Sequence, residues 1–194
     1  MRGEIHANGL LMLSAAAIGA ILGASQVLLL AYCAAVGAAA GIALALGLNS
    51  GASLVGAILI GSKADWRWSA ERRFAVAAII FALATIPTAL VSGYLPYLIV
   101  TTIAGFGIAP MFIQQNAVIA ERAGGAARSG AFALIGGGVV FGISAGSAAG
   151  GIAIDAFGAS EARLILIPLV LLMVLPILLG AQRAEKRPTR SAKR

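Results

Sequence analysis

The pentapeptide GISAG, Gly142–Gly146, has the Gly-x-Ser-x-Gly spacing of a hydrolase nucleophile elbow. A serine nucleophile needs a base beside it, and an elbow needs a sharp turn from a strand into a helix. The single histidine, His6, precedes the first apolar run, and Ser144 lies inside an apolar stretch. The sequence therefore argues against a hydrolase.

Two other features with possible chemistry fail similar tests. The three glycines at 136–138 are not part of the strand–helix–strand unit that a dinucleotide-binding loop requires. Cys33 is the only cysteine, so neither an internal disulfide nor a cysteine-based zinc site can form. We therefore expect no enzymatic activity, no cofactor and no metal site.

Uncharged polar side chains inside the apolar runs are the remaining candidates, because polar groups inside a membrane are costly and commonly functional. Asn49 lies near the middle of the second run, and Gln114, Gln115 and Asn116 are consecutive in the fourth. Successive helical residues turn by about 100°, so these three cover a wide arc and at least one should face protein or water. Gln26 completes the five substrate-cavity candidates. Hydrogen bonding between helices is their alternative role.

The composition shows which elements must position these side chains. The chain is 60% hydrophobic and 11% charged, whereas soluble domains have about half apolar and a quarter charged residues. No charge occurs from Gly9 to Ser62. A helix of that length would span roughly 80 Å, against a bilayer core of about 30 Å. The sequence therefore predicts an integral membrane protein.

Six apolar runs, each close to the roughly 20 residues that a spanning helix needs, predict an all-α polytopic membrane protein. A six-helix transmembrane bundle over residues 1–182 would be followed by a basic cytoplasmic tail over 183–194. Signal-peptide cleavage after Ala24 would leave five spans, but the first run continues apolar through Ala31. The predicted spans are 10–31, 37–61, 74–93, 95–120, 131–155 and 164–182.

The basic residues predict the orientation. Thirteen of the 14 Lys and Arg residues fall on one side of the six-span arrangement, and only Arg163 falls on the other. Because Lys- and Arg-rich loops stay in the cytoplasm, we expect both termini to be cytoplasmic in a multi-pass protein of the cell membrane. Orientation accounts for the basic tail, and we expect no nucleic-acid partner.

A ladder of small residues marks the fifth run. Gly138, Gly142, Gly146 and Gly150 are spaced by four. Small residues at this spacing let helices approach closely in lipid, where no hydrophobic force drives them together. The ladder predicts a close neighbour for the fifth helix, either fixed in place or able to slide against it.

The second and fifth runs also resemble each other. Ser50–Gly61 (SGASLVGAILIG) and Ser144–Asp155 (SAGSAAGGIAID) match at five of twelve positions. The two runs are three spans apart and cross the membrane in opposite directions. This pattern favours a 3+3 inverted repeat, which is typical of secondary transporters.

Three segments carry a resemblance to a known family. GAILIGSKADWRWSAERR (56–73) is similar to the loop signature of the major facilitator superfamily, GFGIAP (105–110) to its kinked tenth helix, and 136–158 to its eleventh. Pro110 lacks a backbone donor and should kink the fourth helix. The chain resembles the C-terminal six-helix half of this family, helices seven to twelve, over Leu10–Gly180.

The resemblance implies a function and a set of loop residues. In that family such a loop ties neighbouring helices and helps to set the balance between outward and inward states. A topology anchor is the alternative role for the arginines, but it does not explain Asp65. The matching loop residues are Gly61, Asp65, Arg67, Arg72 and Arg73.

These observations favour transport of a small solute by alternating access, most simply efflux, by a half-transporter or a fragment of a twelve-helix carrier. The expected partners are the lipid bilayer, a small-molecule substrate and a second six-helix half, either another copy or a separate chain. An accessory or structural membrane protein without transport is the alternative. A channel built from several copies is less favoured, because nothing in the sequence resembles a selectivity filter.

Overall fold

The computed structural model describes residues 2–61, 68–123 and 127–185. Within these ranges the chain is helical and has no strand, which confirms the all-α prediction. Short 3-10 turns at Ala39–Gly41 and Ala162–Ile165 precede the second and sixth helices. The α-helices are α1 (Arg2–Ala35), α2 (Ile42–Gly61), α3 (Ala70–Leu90), α4 (Tyr94–Arg122), α5 (Ala127–Glu161) and α6 (Leu166–Glu185).

Five helical segments in the described ranges are long and apolar enough to cross a membrane. The last of them is 55 residues long, from Arg128 to Gln182, and contains both α5 and α6. The sequence predicts a loop at 156–163, whereas the structure is helical there except at Gly158, where φ is 82°. The membrane-protein prediction is therefore supported.

Local sequence explains where the helices begin and end. Ser69 accepts a hydrogen bond from the backbone N–H of Arg72 at 3.3 Å, which caps the first turn of α3. Glu71 follows in that turn, where the partial positive charge of a helix N-terminus stabilises a carboxylate. Gly37 and Gly93 have positive φ at the end of α1 and the start of α4. Glycine adopts this conformation without the steric cost of a side chain.

The closest packing in the bundle joins α1 and α5, which lie side by side in the same direction. Four glycines face carbonyl oxygens of the opposite helix so closely that a Cβ on any of them would overlap the oxygen. Two of the glycines are on each helix, so the two backbones touch directly. The contacts are Gly19 with Val139, Gly23 with Ile143, Gly142 with Ala16, and Gly146 with Ala20.

Helices α2 and α4 pack in the same manner and also run in the same direction. Gly56 lies against the carbonyl of Phe106, and Gly105 lies against the carbonyl of Asn49. The hydroxyl of Tyr94 donates to the carbonyl of Gly41 at 2.9 Å, near the beginning of both helices. Each helix therefore has one glycine in contact with the backbone of the other helix.

Helices α3 and α6 complete the bundle. A core of buried aliphatic and aromatic side chains joins both helices to α1 and α4, and it includes Ile18, Phe81, Met111 and Met173. On the outer surface large apolar side chains are exposed, and Leu83 and Phe141 are 66% and 70% accessible. Such a surface suits lipid rather than water.

The two ends of the bundle differ in chemistry. We name one the ion-pair end, because ion pairs at 3.4–3.5 Å join α3 and α4 there, Glu71 with Arg122 and Arg73 with Glu121. The opposite end, the tyrosine end, holds Tyr32, Tyr94 and Tyr97, which are all the tyrosines of the chain.

Candidate functional site

A cavity of about 190 Å³ lies between α4 and α5. It exists because α5 is held against α1 and makes few contacts with α4. Gly136, on the cavity wall, has nothing within 4 Å of the position that a Cβ would take, so this part of α5 leaves space beside α4. The lining residues are Phe112, Gln115, Asn116 and Ile119 on α4, and Phe132, Ile135, Gly136 and Val139 on α5.

Gln115 is the most constrained polar residue of this α4–α5 cavity. Its side chain is 1% exposed, and its Nε2 has no hydrogen-bond partner among the described residues. A buried amide donor without a partner costs about 1–3 kcal/mol. The Nε2 itself is not accessible from the cavity, so an acceptor there would pair with it only after the Gln115 side chain turns toward the space.

The neighbouring amides have different positions. Asn116 lines the cavity and is exposed, whereas Gln114 is buried at 4% exposure and is not part of the lining. The Oε1 of Gln114 also has no partner within the described ranges. Of the three consecutive amides, two therefore share the cavity with Phe112 and Phe132, and none of the described residues that line it is charged.

The other two substrate-cavity candidates lie elsewhere. The Nδ2 of Asn49 donates to the carbonyl of Thr101 at 2.7 Å, which ties α2 to α4. This contact matches the helix-bonding alternative considered for Asn49. Gln26 is exposed on α1 and does not line the α4–α5 cavity.

The predicted conformational loop is described only in part, because Asp65 and Arg67 lie outside the described residues. Gly61 is exposed at the last position of α2. The guanidinium of Arg72 lies 4.7 Å from the centre of the Trp68 ring, and Arg73 pairs with Glu121 at 3.5 Å. The two arginines therefore contact the residues just before α3 and the end of α4, respectively.

The glycine ladder and Pro110 have distinct surroundings. Gly142 and Gly146 touch the backbone of α1, whereas a Cβ at Gly138 or Gly150 would come no closer than 3.7 Å and 3.4 Å to its neighbours. The ladder is therefore tightest at its centre. Pro110 lies within α4, which is continuous from Tyr94 to Arg122, and packs beside Gly56 of α2.

A second polar site, at the tyrosine end, was not anticipated from the sequence. Arg163 is only 4% exposed. Its Nη1 donates to the carbonyls of Thr88 at 3.1 Å and Val91 at 2.7 Å, and its Nε donates to Ser160 at 3.1 Å. The guanidinium also lies 3.7 Å from the centre of the Tyr32 ring.

The electrostatics of this site follow from the helix ends. Arg163 contacts the last carbonyls of α3 and of α5, and the Tyr32 ring near the end of α1. Each helix C-terminus carries a partial charge of about −0.5. Their convergence stabilises a buried cation without a carboxylate. The sequence did contain a signal for this site. Arg163 is the one basic residue on its side of the six-span arrangement, and all three tyrosines lie near that same side.

No protein-family model and no curated protein sequence matches the chain. Its function is therefore inferred from its residues and their geometry.

Proposed function

We propose that the chain is a six-span transport module that moves a small neutral solute across the cell membrane by alternating access. The observation that carries the proposal is the pattern of helix pairs. If α1, α2 and α3 are equated with α4, α5 and α6, each observed helix pair has an observed counterpart. The α1–α5 pair corresponds to α4–α2, the α1–α6 pair corresponds to α4–α3, and the α3–α6 pair corresponds to itself. The sparse α4–α5 and α1–α2 contacts also exchange. Internal inverted repeats of this kind are typical of secondary transporters.

Separate membrane crossings by α5 and α6 are part of this proposal. A continuous helix of 55 residues would be about 80 Å long, well beyond a bilayer core of about 30 Å. Gly158 interrupts the helix, and α6 packs antiparallel to α1, with Ile177 in one core with Leu11 and Leu166 in another with Leu28. Six crossings, with the beginning of α1 and the end of α6 at the ion-pair end, agree with the cytoplasmic location of basic loops.

The α4–α5 cavity supports a small, neutral and partly apolar solute. Two phenylalanines and three aliphatic side chains would contact its apolar part, and the amide of Gln115 would donate to its acceptor once that side chain turns toward the space. A volume of about 190 Å³ corresponds to roughly six waters at ~30 Å³ each. Drug-sized ligands occupy about 300–1,000 Å³, so a small solute or one part of a larger one fits.

A second six-helix half is the partner that completes the proposal. Gly47 and Gly51 on α2, and Gly137 and Gly151 on α5, have nothing within 4 Å of the position that a Cβ would take. Ser50 and Ser144 are exposed on the same two helices. Small and hydroxyl-bearing faces pack against other helices in lipid. This arrangement agrees with the resemblance to one half of a major facilitator superfamily carrier, most simply an efflux carrier.

Solute flux into proteoliposomes tests the proposal. The purified chain would be reconstituted and assayed with radiolabelled nicotinamide, uridine and phenyl glucoside, which are neutral, carry a ring and present acceptors. We expect saturable flux of at least one of them. Gln115→Leu should lower that flux about five- to 150-fold, since the loss of one hydrogen bond to a buried amide is worth about 1–3 kcal/mol.

Gln26→Leu is the matched control, because Gln26 is also an amide but lies outside the cavity. Its flux should stay within twofold of the wild type. Flux equal to that of empty liposomes for all three solutes would contradict the transport proposal and favour an accessory role. Equal losses in the two variants would contradict the assignment of the cavity.

A further inference from the structure

Arg163 connects the two halves of the sequence at the tyrosine end. It lies in the turn between α5 and α6, yet it donates to the carbonyls of Thr88 and Val91 at the end of α3. The hydroxyl of Tyr32 on α1 accepts from the backbone N–H of Gly93 at 2.8 Å, directly after that segment. Arg163 also covers the ring of Tyr32. One side chain therefore holds the α3–α4 and α5–α6 turns together.

Arg163 also covers a region of the bundle that is filled with packed side chains. In the proposed repeat this region corresponds to the α4–α5 cavity. We call this region the Tyr32 cluster; its buried members are Leu29, Tyr32, Cys33, Ala45, Tyr97 and Leu98, from α1, α2 and α4. When α1–α3 are equated with α4–α6, the space between α1 and α2 corresponds to the space between α4 and α5. Tyr32 lies nine residues after Gly23, and the residue nine positions after Gly105 is Gln114, beside the cavity-lining Gln115; each glycine is a close-contact position. The corresponding places thus hold a packed tyrosine at one end and two consecutive glutamines, one of which lines the cavity, at the other.

We propose that Arg163 is a latch that closes the tyrosine end and releases the α3 carbonyls when that end opens. The latch rests on the proposed function, because opening at one end has to accompany closing of the α4–α5 cavity at the other. Its partners suit a reversible contact: carbonyls and ring faces hold a guanidinium less tightly than a carboxylate would, and water can replace them. Gly93 and Gly158, both with positive φ, flank the two turns that the latch joins and can serve as hinges.

The chain contains its own reporter for this opening. Cys33 is the only cysteine, is 0% exposed, and lies in the Tyr32 cluster beneath Arg163. While the latch is closed, a water-soluble maleimide should react with this thiol slowly. Each opening of the tyrosine end should expose it, so the labelling rate measures how often the latch is released.

The test compares labelling at the two ends of the bundle in the reconstituted full chain. Arg163→Ala should raise the rate of Cys33 labelling at least tenfold. A second reporter, the thiol introduced by Asn116→Cys with Cys33→Ala, lies in the α4–α5 cavity. Its labelling should slow at least threefold when Arg163→Ala is added. Arg163→Lys, which keeps the charge but offers fewer donors, should give both changes in the same direction and at smaller size.

Opposite changes at the two reporters distinguish a latch from a static structural tie. If Arg163→Ala and Arg163→Lys raise labelling at both positions, the bundle has only loosened and the latch is excluded. Unchanged labelling of Cys33 would exclude it as well. Arg128→Ala is the control: Arg128 is exposed and donates to the carbonyl of Ala120, so neither rate should change by more than twofold. Because labelling needs no solute, opposite changes without measurable flux would contradict transport and leave the latch intact.

Discussion

In the proposed inverted repeat the Tyr32 cluster and the α4–α5 cavity occupy equivalent places, yet one is filled and the other is open. The rings of Tyr32 and Tyr97 pack beneath Arg163 with their centres 4.6 Å apart and their planes tilted by 59°. Phe112 and Phe132 border a space of about 190 Å³ in the cavity. The helix pairs beside both regions are held by the same glycine-to-carbonyl contacts. Glycines therefore fix which helices pair, whereas a few large side chains decide whether the space between pairs is closed.

The largest effect should come from breaking a helix pair on which both regions depend. Gly146→Val would place side-chain atoms in the backbone of Ala20 on α1. We expect the free energy of unfolding to fall by about 3 kcal/mol or more, because overpacking against rigid backbone has no simple relief. Unfolding in detergent, followed by circular dichroism, measures the change.

Gly151→Val is the matched control on the same helix, since nothing lies within 4 Å of a Cβ there. Its stability should stay within about 0.5 kcal/mol of the wild type, as for substitutions that meet no neighbour. Equal losses in the two variants would show that valine harms α5 by itself and that the α1–α5 contact is not responsible.

The second-largest effect should come from filling the α4–α5 cavity with a side chain, as the Tyr32 cluster is filled. Gly136→Leu would place an aliphatic side chain into the α4–α5 cavity, where there is space for it. We expect solute flux to fall more than tenfold, equivalent to about 1.4 kcal/mol, while the free energy of unfolding is unchanged or slightly raised.

Gly130→Leu provides the comparison in the flux assay. Gly130 is also open and lies on α5, but it is not part of the cavity lining. Its flux should remain within twofold of the wild type. A similar loss from both leucines would mean that the whole exposed face of α5 matters, and the cavity would no longer be the special feature.

A smaller effect is expected for Asn49, which ties α2 to α4 and lies in neither region. Asn49→Ala removes the hydrogen bond to the carbonyl of Thr101. Hydrogen bonds between membrane helices contribute about 1 kcal/mol, so stability should fall by that amount and flux should change little. Ser50→Ala, at the exposed neighbouring position, should leave the stability of the chain unchanged. A flux loss as large as that of Gln115→Leu would place Asn49 in the solute path instead.

The smallest effect should come from the ion-pair end. Glu71→Gln removes the ion pair between Glu71 and Arg122. The side chain of Glu71 is 17% exposed and that of Arg122 is 24% exposed. Partly exposed ion pairs contribute about 0–1 kcal/mol, and salt weakens them. Melting temperatures at low and high salt should differ less in the variant than in the wild type. An equal salt dependence in both would show that this ion pair does not stabilise the α3–α4 contact.

Much of the fold could be predicted from the sequence, because lipid forces long apolar runs into helices and small residues mark the places where helices touch. The six predicted runs overlap α1–α6, and the glycines at 142 and 146 do contact a neighbouring helix. A break between the fifth and sixth runs was predicted, but its extent, a loop over 156–163, was wrong. Ala156–Arg163 contains no proline and only one glycine, so the chain stays helical except at Gly158.

The two polar sites differed in how far the sequence could indicate them. Gln115 and Asn116 could be proposed because amides are rare in apolar runs, although the choice of Gln115 over Gln114 depends on helix rotation. Arg163 could be singled out as the one basic residue at its end of the bundle, but its role could not be inferred, because its partners are carbonyls at the ends of α3 and α5. Backbone carbonyls belong to every residue and leave no pattern in a sequence. Only the convergence of α3 and α5 makes them a site.

The central claim is that the α4–α5 cavity closes when the tyrosine end opens. The distance across the cavity tests this claim most directly. Spin labels would be attached through Asn116→Cys and Phe132→Cys with Cys33→Ala, on the α4 and α5 walls. Double electron–electron resonance on the reconstituted chain, with and without Arg163→Ala, measures the separation. We expect Arg163→Ala to shift the distribution to a shorter distance. A single distribution that is identical in both proteins would contradict the coupling of the two ends.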